Sequence, residues 1–324
     1  MQRRDALKTL LGTAGFAISA VTNNRASFGG DPATGSTTSK SRNRTTRFAH
    51  LTDVHVHDGR NAPQGLAKAI RHVHSLDVRP DFILNGGDAI DDALEATREK
   101  VLEQWALWHS TWQREGSLPM RHCLGNHDVW GWNPKSGTRG DETGWGKGLA
   151  LEQLGLKMPY YQFDAGGWRF LVLDSMTFDP ETAYRAELDK QQLAWLTEQL
   201  ESCPAEMPIL IASHIPILTV GSVAFTPELR KHPQASKMLS HRDAFELLAL
   251  LQKYPNVKLC LSGHTHQTER LSYAGIDFVN SGAVCGFWWK GNFNHTDEGY
   301  NVVDLFDDGT YDTHYVSYGW DVPA

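Results

Sequence analysis

Cysteine is scarce: four occur among 324 residues, at positions 123, 203, 260 and 285, and no two are spaced as C-x-x-C. That spacing excludes a thiolate zinc ribbon. Cys123 in MRHCLGNHD and Cys260 in VKLCLSGHTH lie in short apolar runs, where a thiol usually serves as a small core residue. Long apolar stretches are missing too. The N-terminal candidate, Leu10 to Val21, is too short to span a bilayer comfortably and is diluted by Gly12, Thr13, Gly15 and Ser19, so no stable membrane span is expected. There is no solenoid-type repeat. Nor is there an excess of positive charge. The formal charge is −7, and residues 1–46 hold seven Lys/Arg against two Asp/Glu, so residues 47–324 carry −12. So acidic a body argues against a nucleic-acid partner; an anionic substrate would need another attractor, and a bound metal is the obvious one. What is present is ordinary globular composition, 40% hydrophobic and 21% charged, enough to bury a full core.

Residues 1–21, MQRRDALKTLLGTAGFAISAV, place Arg3 and Arg4 ahead of the short apolar run. The segment resembles a twin-arginine export signal, with Ala6 where such signals usually carry Phe. It implies passage through the export machinery to the periplasm or the extracellular space. Residues 22–46 are rich in Thr, Ser, Asn, Gly and Arg and cannot contribute to a core, so 1–46 reads as signal peptide and disordered linker. One folded domain is expected over 47–324.

Within that domain Arg47–Thr52, Asp81–Asn85, Met120–Leu124, Trp168–Asp174, Pro208–Ser213 and Val257–Ser262 are short runs of Ile, Leu, Val and Phe, as buried strands require. Helical spacing lies between some of them: Leu193, Leu196 and Leu200, then Ala244, Leu247, Leu248 and Leu251 behind a capping pair, Ser240 and Asp243. Alternation of this kind means α/β layering. The last four strands, Thr268–Tyr273, Ile276–Asn280, Tyr300–Phe306 and Tyr311–Tyr318, follow one another and should form antiparallel hairpins.

Polar clusters sit where the strands stop. Asp53-Val54-His55 follows the first, Gly86-Gly87-Asp88 the second, Gly125-Asn126-His127-Asp128 the third, Ser213-His214 the fifth and Gly263-His264-Thr265-His266 the sixth. The carboxyl edge of an α/β sheet is where loops converge on ligands. Asp, Asn and His offer oxygen and imidazole donors suited to Mn, Fe or Zn. Asp88 has two oxygens with which to bridge two cations, and Asn126 a neutral one for a site where more charge would over-neutralise.

The series D-x-H, G-D, G-N-H-D, H and G-H-x-H, in this order across residues 53–266, resembles the calcineurin-like metallophosphoesterase family. The resemblance implies a four-layer αββα sandwich, with mixed β-sheets flanked by helices and the site in loops at strand C-termini. It implies two divalent or trivalent metal ions (Mn, Fe or Zn). One is held by Asp53, His55 and His266, the other by Asn126, His214 and His264, and Asp88 bridges both. A bridging hydroxide then attacks a phosphoester, His127 lies near the leaving group as acid or charge stabiliser, and Asp128 orients its ring.

Other features are less decided. His50, His57, His72, His74, His109, His122 and His241 complete no cluster, and Asp174 reads equally as a hydrogen-bonding neighbour of the site or a turn residue. The Gly- and Trp-rich stretch 130–149 is either a substrate wall or a surface connection. Trp288 or Trp289 could stack on a substrate, but aromatics in a β-rich segment more often belong to the core. The expected activity is hydrolysis of a small-molecule phosphodiester, of cyclic-nucleotide or glycerophosphodiester type. A phosphomonoesterase and an inactive metal-binding scaffold are the alternatives.

Overall fold

The computed structural model describes residues 42–221 and 238–322; the segment read as an export signal, and most of the linker after it, lie outside them. Among the described residues no helix is long and apolar enough to cross a membrane. The first strand, β1, runs Arg44–Leu51 and so begins inside the stretch expected to be linker. Its start is held in place because Arg42 bonds Asp312 at 2.6 Å and Asn43 bonds Asp307 through both backbone and side chain.

Two sheets carry the fold. In the first, β1 pairs in parallel with β2 (Phe82–Asn85), which pairs in parallel with β3 (Met120–His122). In the second, β5 (Trp168–Leu173), β8 (Ile209–Ser213), β9 (Val257–Ser262) and β11 (Ile276–Ser281) are parallel neighbours. Antiparallel strands close the edges: β12 (Gly299–Phe306) and β13 (Tyr311–Ser317) on the first sheet, β4 (Tyr161–Ala165) and β10 (Thr268–Tyr273) on the second. The late strands do form the two expected hairpins, one in each sheet.

Alternation along the strands explains the layers. In β8, Leu210 and Ala212 point into a core shared with Phe48 and Leu84 of the first sheet, whereas Ile209 and Ile211 point the other way. That outer side is covered by α4 (Lys190–Ser202), with Leu196 and Leu200, and α5 (Ala244–Leu251), with Leu247 and Leu251. The outer face of the first sheet is covered by α1 (Ala62–His74), whose Leu66, Ala69, Ile70 and Val73 recur at helical spacing, and by α2 (Arg98–Glu115), which buries Trp105, Trp108 and Trp112. A short helix, α3 (Gly148–Leu154), follows the Trp-rich stretch. The order helix, sheet, sheet, helix is the expected four-layer sandwich.

Two details differ from expectation. Asp243 precedes α5 but does not cap it: its carboxylate takes the Leu188 amide at 3.0 Å and His241 at 3.0 Å, and Ser240 lies too far upstream. Also, a separate hairpin of β6 (Met176–Asp179) and β7 (Ala183–Ala186) stands apart from both sheets.

Beside the start of β12, Glu298 is 5% exposed and its Oε1 has no hydrogen-bond partner. Burial lifts its pKa above the usual carboxyl value, and Asp297 and Asp321 push the same way. The folded state thus keeps a proton that the unfolded chain releases above about pH 4.3, so this carboxyl erodes stability as pH rises through that window. Glu298→Gln is therefore expected to raise Tm by roughly 2–4 °C at about pH 8 and to leave it unchanged below about pH 4. Thermal unfolding at the two pH values checks this; an equal gain at both would trace the effect to packing instead.

Candidate metal centre

The loops leaving β1, β2, β3, β8 and β9 meet at one end of the sandwich. They bring together Asp53, His55, Asp88, Asn126, His214 and His266, all buried, and half-buried His264. Asp88 Oδ2 lies 3.5 Å from His55 Nε2 on one side and 3.2 Å from His214 Nε2 on the other. On the His55 side, His266 Nε2 is 3.1 Å from His55 Nε2 and 3.3 Å from Asp53 Oδ1. On the His214 side, Asn126 Oδ1 is 3.2 Å from His214 Nε2, and a ring nitrogen of His264 completes a group with Asp88 and His214.

Backbone carbonyls set the tautomers, because a carbonyl oxygen can only accept. His214 Nδ1 donates to Gly86 at 2.9 Å, His266 Nδ1 to Gly286 at 2.7 Å and His264 Nε2 to Met238 at 2.8 Å. The remaining nitrogens, His214 Nε2, His266 Nε2 and His264 Nδ1, keep their lone pairs for the centre. Sequence reasoning missed these carbonyls, and no side-chain pattern could reveal them.

The loops are tightly wound. Asp53 (φ 54°), His55 (φ 48°), Asp88 (φ 54°), His264 (φ 71°) and His266 (φ 56°) all occupy the left-handed region, which Asp, Asn and His enter more readily than other residues bearing a Cβ. Glycine is required beside them. A Cβ at Gly125 would stand 2.1 Å from Asp88 Oδ1, and one at Gly263 would stand 2.3 Å from Asp53 Oδ2.

The expected pairing of Asp128 with the His127 ring is not what the structure shows. The Asp128 carboxylate accepts the backbone N–H groups of Asp88, Ala89 and Gly125, each at 2.9 Å, and so braces the loop that carries Asp88. His127 is oriented instead by the Asp91 carbonyl, which takes its Nδ1–H. That leaves Nε2 free, and the ring stands edge-on to His55 with centroids 4.7 Å apart.

Residues 46–268 match the model of the calcineurin-like phosphoesterases over most of the described chain. The chain belongs to that family. Among curated proteins this calcineurin-like phosphoesterase is similar to a 3',5'-cyclic-nucleotide phosphodiesterase of a Nostoc strain. The two are 25% identical over 281 residues, covering 82% of this chain and 90% of the relative. It is also 26% identical over 282 residues to the 3',5'-cyclic adenosine monophosphate phosphodiesterase CpdA of Escherichia coli, covering 82% and 88% respectively. In fold it resembles a dimetal phosphatase from Danio rerio, with TM-score 0.58, 15% identity and coverage of 86% of this chain and 100% of that one.

Calcineurin-like phosphoesterases depend on two metal ions, and the donors fit. Lone pairs and carboxylate oxygens converge within 3.1–3.9 Å of one another, which is repulsive unless positive charge lies among them. Burial opposes charge on His214, yet Asp88 holds its pKa up at about 9. Burial likewise opposes charge on His266, which Cys285 and Asp53 nonetheless raise well above the usual imidazole value. His55, farther from compensating charge, is pushed by burial down to about 3. The pocket thus calls for cations that protons only partly supply.

Around this centre Trp288 is stacked on His266 at 4.5 Å, and Trp289 is fully buried with its Nε1 donating to the His55 carbonyl at 3.1 Å. Both tryptophans are buried against the histidines His55 and His266. Cys285, whose Sγ is 3.9 Å from His266 Nδ1, is another neighbour without a sequence signal; all four cysteines are buried and unpaired. The 130–149 stretch is closed on itself by paired Trp130 and Gly146 bonds, and Trp130 and Trp132 are buried. Lys147 ties it to Asp174, so that aspartate anchors a loop and is not turned to the metal centre. His50, His72, His109 and His241 find partners outside the cluster, in Ser281, Tyr300, Gln153 and Asp243.

Proposed function

We propose that this chain hydrolyses a phosphodiester, a cyclic nucleotide foremost, at a two-ion centre. The observation that carries the reading is the seat of Asp88 Oδ2 between His55 and His214. Asp53, His55 and His266 would hold one ion, Asn126, His214 and His264 the other, and Asp88 both. Ions held there supply Lewis acidity toward phosphoryl oxygens and a nucleophile at neutral pH. The chain's own groups do the rest. His127, its Nδ1–H pinned by the Asp91 carbonyl, presents Nε2 to the leaving-group oxygen and, when the ring is in its imidazolium form, can give that oxygen the Nε2 proton. Asp128 keeps the Asp88 loop in position.

The names of the Nostoc and Escherichia coli relatives support the cyclic-nucleotide class. The acidic charge of residues 47–324 favours a diester, which carries one negative charge fewer than a monoester. Assay with Mn²⁺ of cyclic AMP, bis-para-nitrophenyl phosphate and para-nitrophenyl phosphate tests the proposal. We expect turnover of both diesters, with kcat/KM for the aryl diester at least about tenfold above that for the monoester. Preferential monoester turnover would instead make the protein a phosphatase.

A further inference from the structure

The loop from Cys285 to Lys290 closes on the Asp53 side of the metal centre. The Cys285 amide donates to the Asp53 carbonyl at 3.2 Å, and the Gly286 carbonyl accepts from His266 Nδ1. Trp289 anchors the loop: its Nε1 reaches the His55 carbonyl, and its ring lies so close to α1 that a Cβ at Gly65 would stand 2.1 Å from it. Trp288 has a different setting. Its indole lies nearly parallel to the His266 imidazole, with centroids 4.5 Å and planes 25° apart, and its centroid is 5.4 Å from that of His55. Phe287 meets it edge-on at 5.5 Å. At 5% exposure the indole has no face left for a substrate, which excludes the stacking role that the sequence allowed it.

Trp288 is kept there against two costs. Its backbone is left-handed (φ 48°), as is that of Trp289 (φ 62°), a region that bulky side chains resist. Its buried Nε1–H finds no acceptor among the described residues, so no hydrogen bond holds the ring in place. What the indole gains is its contact with two imidazoles. Nearly parallel rings at this separation attract one another. The attraction grows when an imidazole gives its Nε2 lone pair to a cation, because the ring then presents positive charge to the indole face. The contact is also one-sided. Among the described residues His214 and His264 stack on no tryptophan, and their rings meet each other edge-on at 5.2 Å.

We propose that Trp288 is a positioning residue for the ion held by Asp53, His55 and His266, its indole fixing the two imidazoles in their ligating orientation and favouring them with the ion bound. The role rests on the two-ion centre, and its test does not require hydrolysis. Calorimetric titration of metal-free protein with Mn²⁺ compares wild type, Trp288→Leu and Trp288→Phe, with a cooperative melt to show that each variant is folded. The wild type should bind two ions. Trp288→Leu should weaken one of them by about tenfold or more and leave the other within about twofold. Trp288→Phe, which keeps a flat aromatic face, should hold both within about threefold of wild type. Trp288→Met takes the place of Trp288→Leu if the latter does not fold. Unchanged affinities in the aliphatic variant, equal weakening of both ions, or a Phe variant as weak as the aliphatic one would overturn the role. A wild type that binds fewer than two ions would overturn the centre itself, and the role with it.

Discussion

In an Asp128→Ala variant, metal content should fall below one ion per chain and thermal unfolding should shift down by roughly 6–12 °C. Three buried backbone N–H groups, those of Asp88, Ala89 and Gly125, lose their acceptor at once. Each orphaned donor costs about 1–3 kcal/mol, so a total of about 3 kcal/mol or more is expected even after local relaxation. The damage lands on the loop holding the bridging carboxylate, which is why metal is lost along with stability. Asp128→Asn keeps one acceptor oxygen and should fall between the two. Metal analysis and a melting curve decide the matter: full metal content with only turnover lost would mean that Asp128 acts through His127 after all.

His127→Ala should behave in the opposite way. Turnover of a phosphodiester is expected to fall by about 10²–10⁴-fold, the range typical for loss of a positioned acid or base, while metal content and Tm stay at wild-type values. The substitution removes the ring but not the backbone N–H that His127 donates to Asp88 Oδ1 at 2.7 Å, so the bridging carboxylate keeps its anchor. A ring nitrogen of His127 also lies within metal-holding distance of His55 and Asp88. Loss of one ion in the variant would therefore reassign His127 from acid to ligand.

β2, β8 and β9 were legible because they are short, largely buried apolar runs, whereas β3, half-buried to exposed over Met120–His122, showed itself through the buried Cys123 and Leu124 that follow it. β4 was not: in Tyr161–Ala165 half-buried side chains alternate with exposed Gln162 and Asp164, the pattern of an edge that faces water. The β6–β7 hairpin escaped for a related reason, since it belongs to neither sheet and Phe178 packs on Trp132 and Trp145 of a neighbouring loop. Seven candidate ligands converge in space because strand-end position is a local property that a sequence displays. Partners are not local. Asp128 and His127 are adjacent in the chain, yet one turns to the Asp88 loop and the other to the Asp91 carbonyl, so the pairing that the family resemblance implied is not made.

The left-handed backbone at Asp53, His55, Asp88, His264 and His266 also limits how the centre can be re-engineered. Metal preference is commonly altered by exchanging donor atoms, for instance by installing thiolates for softer ions or extra glutamates for harder ones. At these five positions a Cys or Glu would also have to adopt a conformation that side chains of its kind resist, at about 1–3 kcal/mol each. Asn126 and His214, whose backbones are free of that constraint, are the positions where a designer should begin.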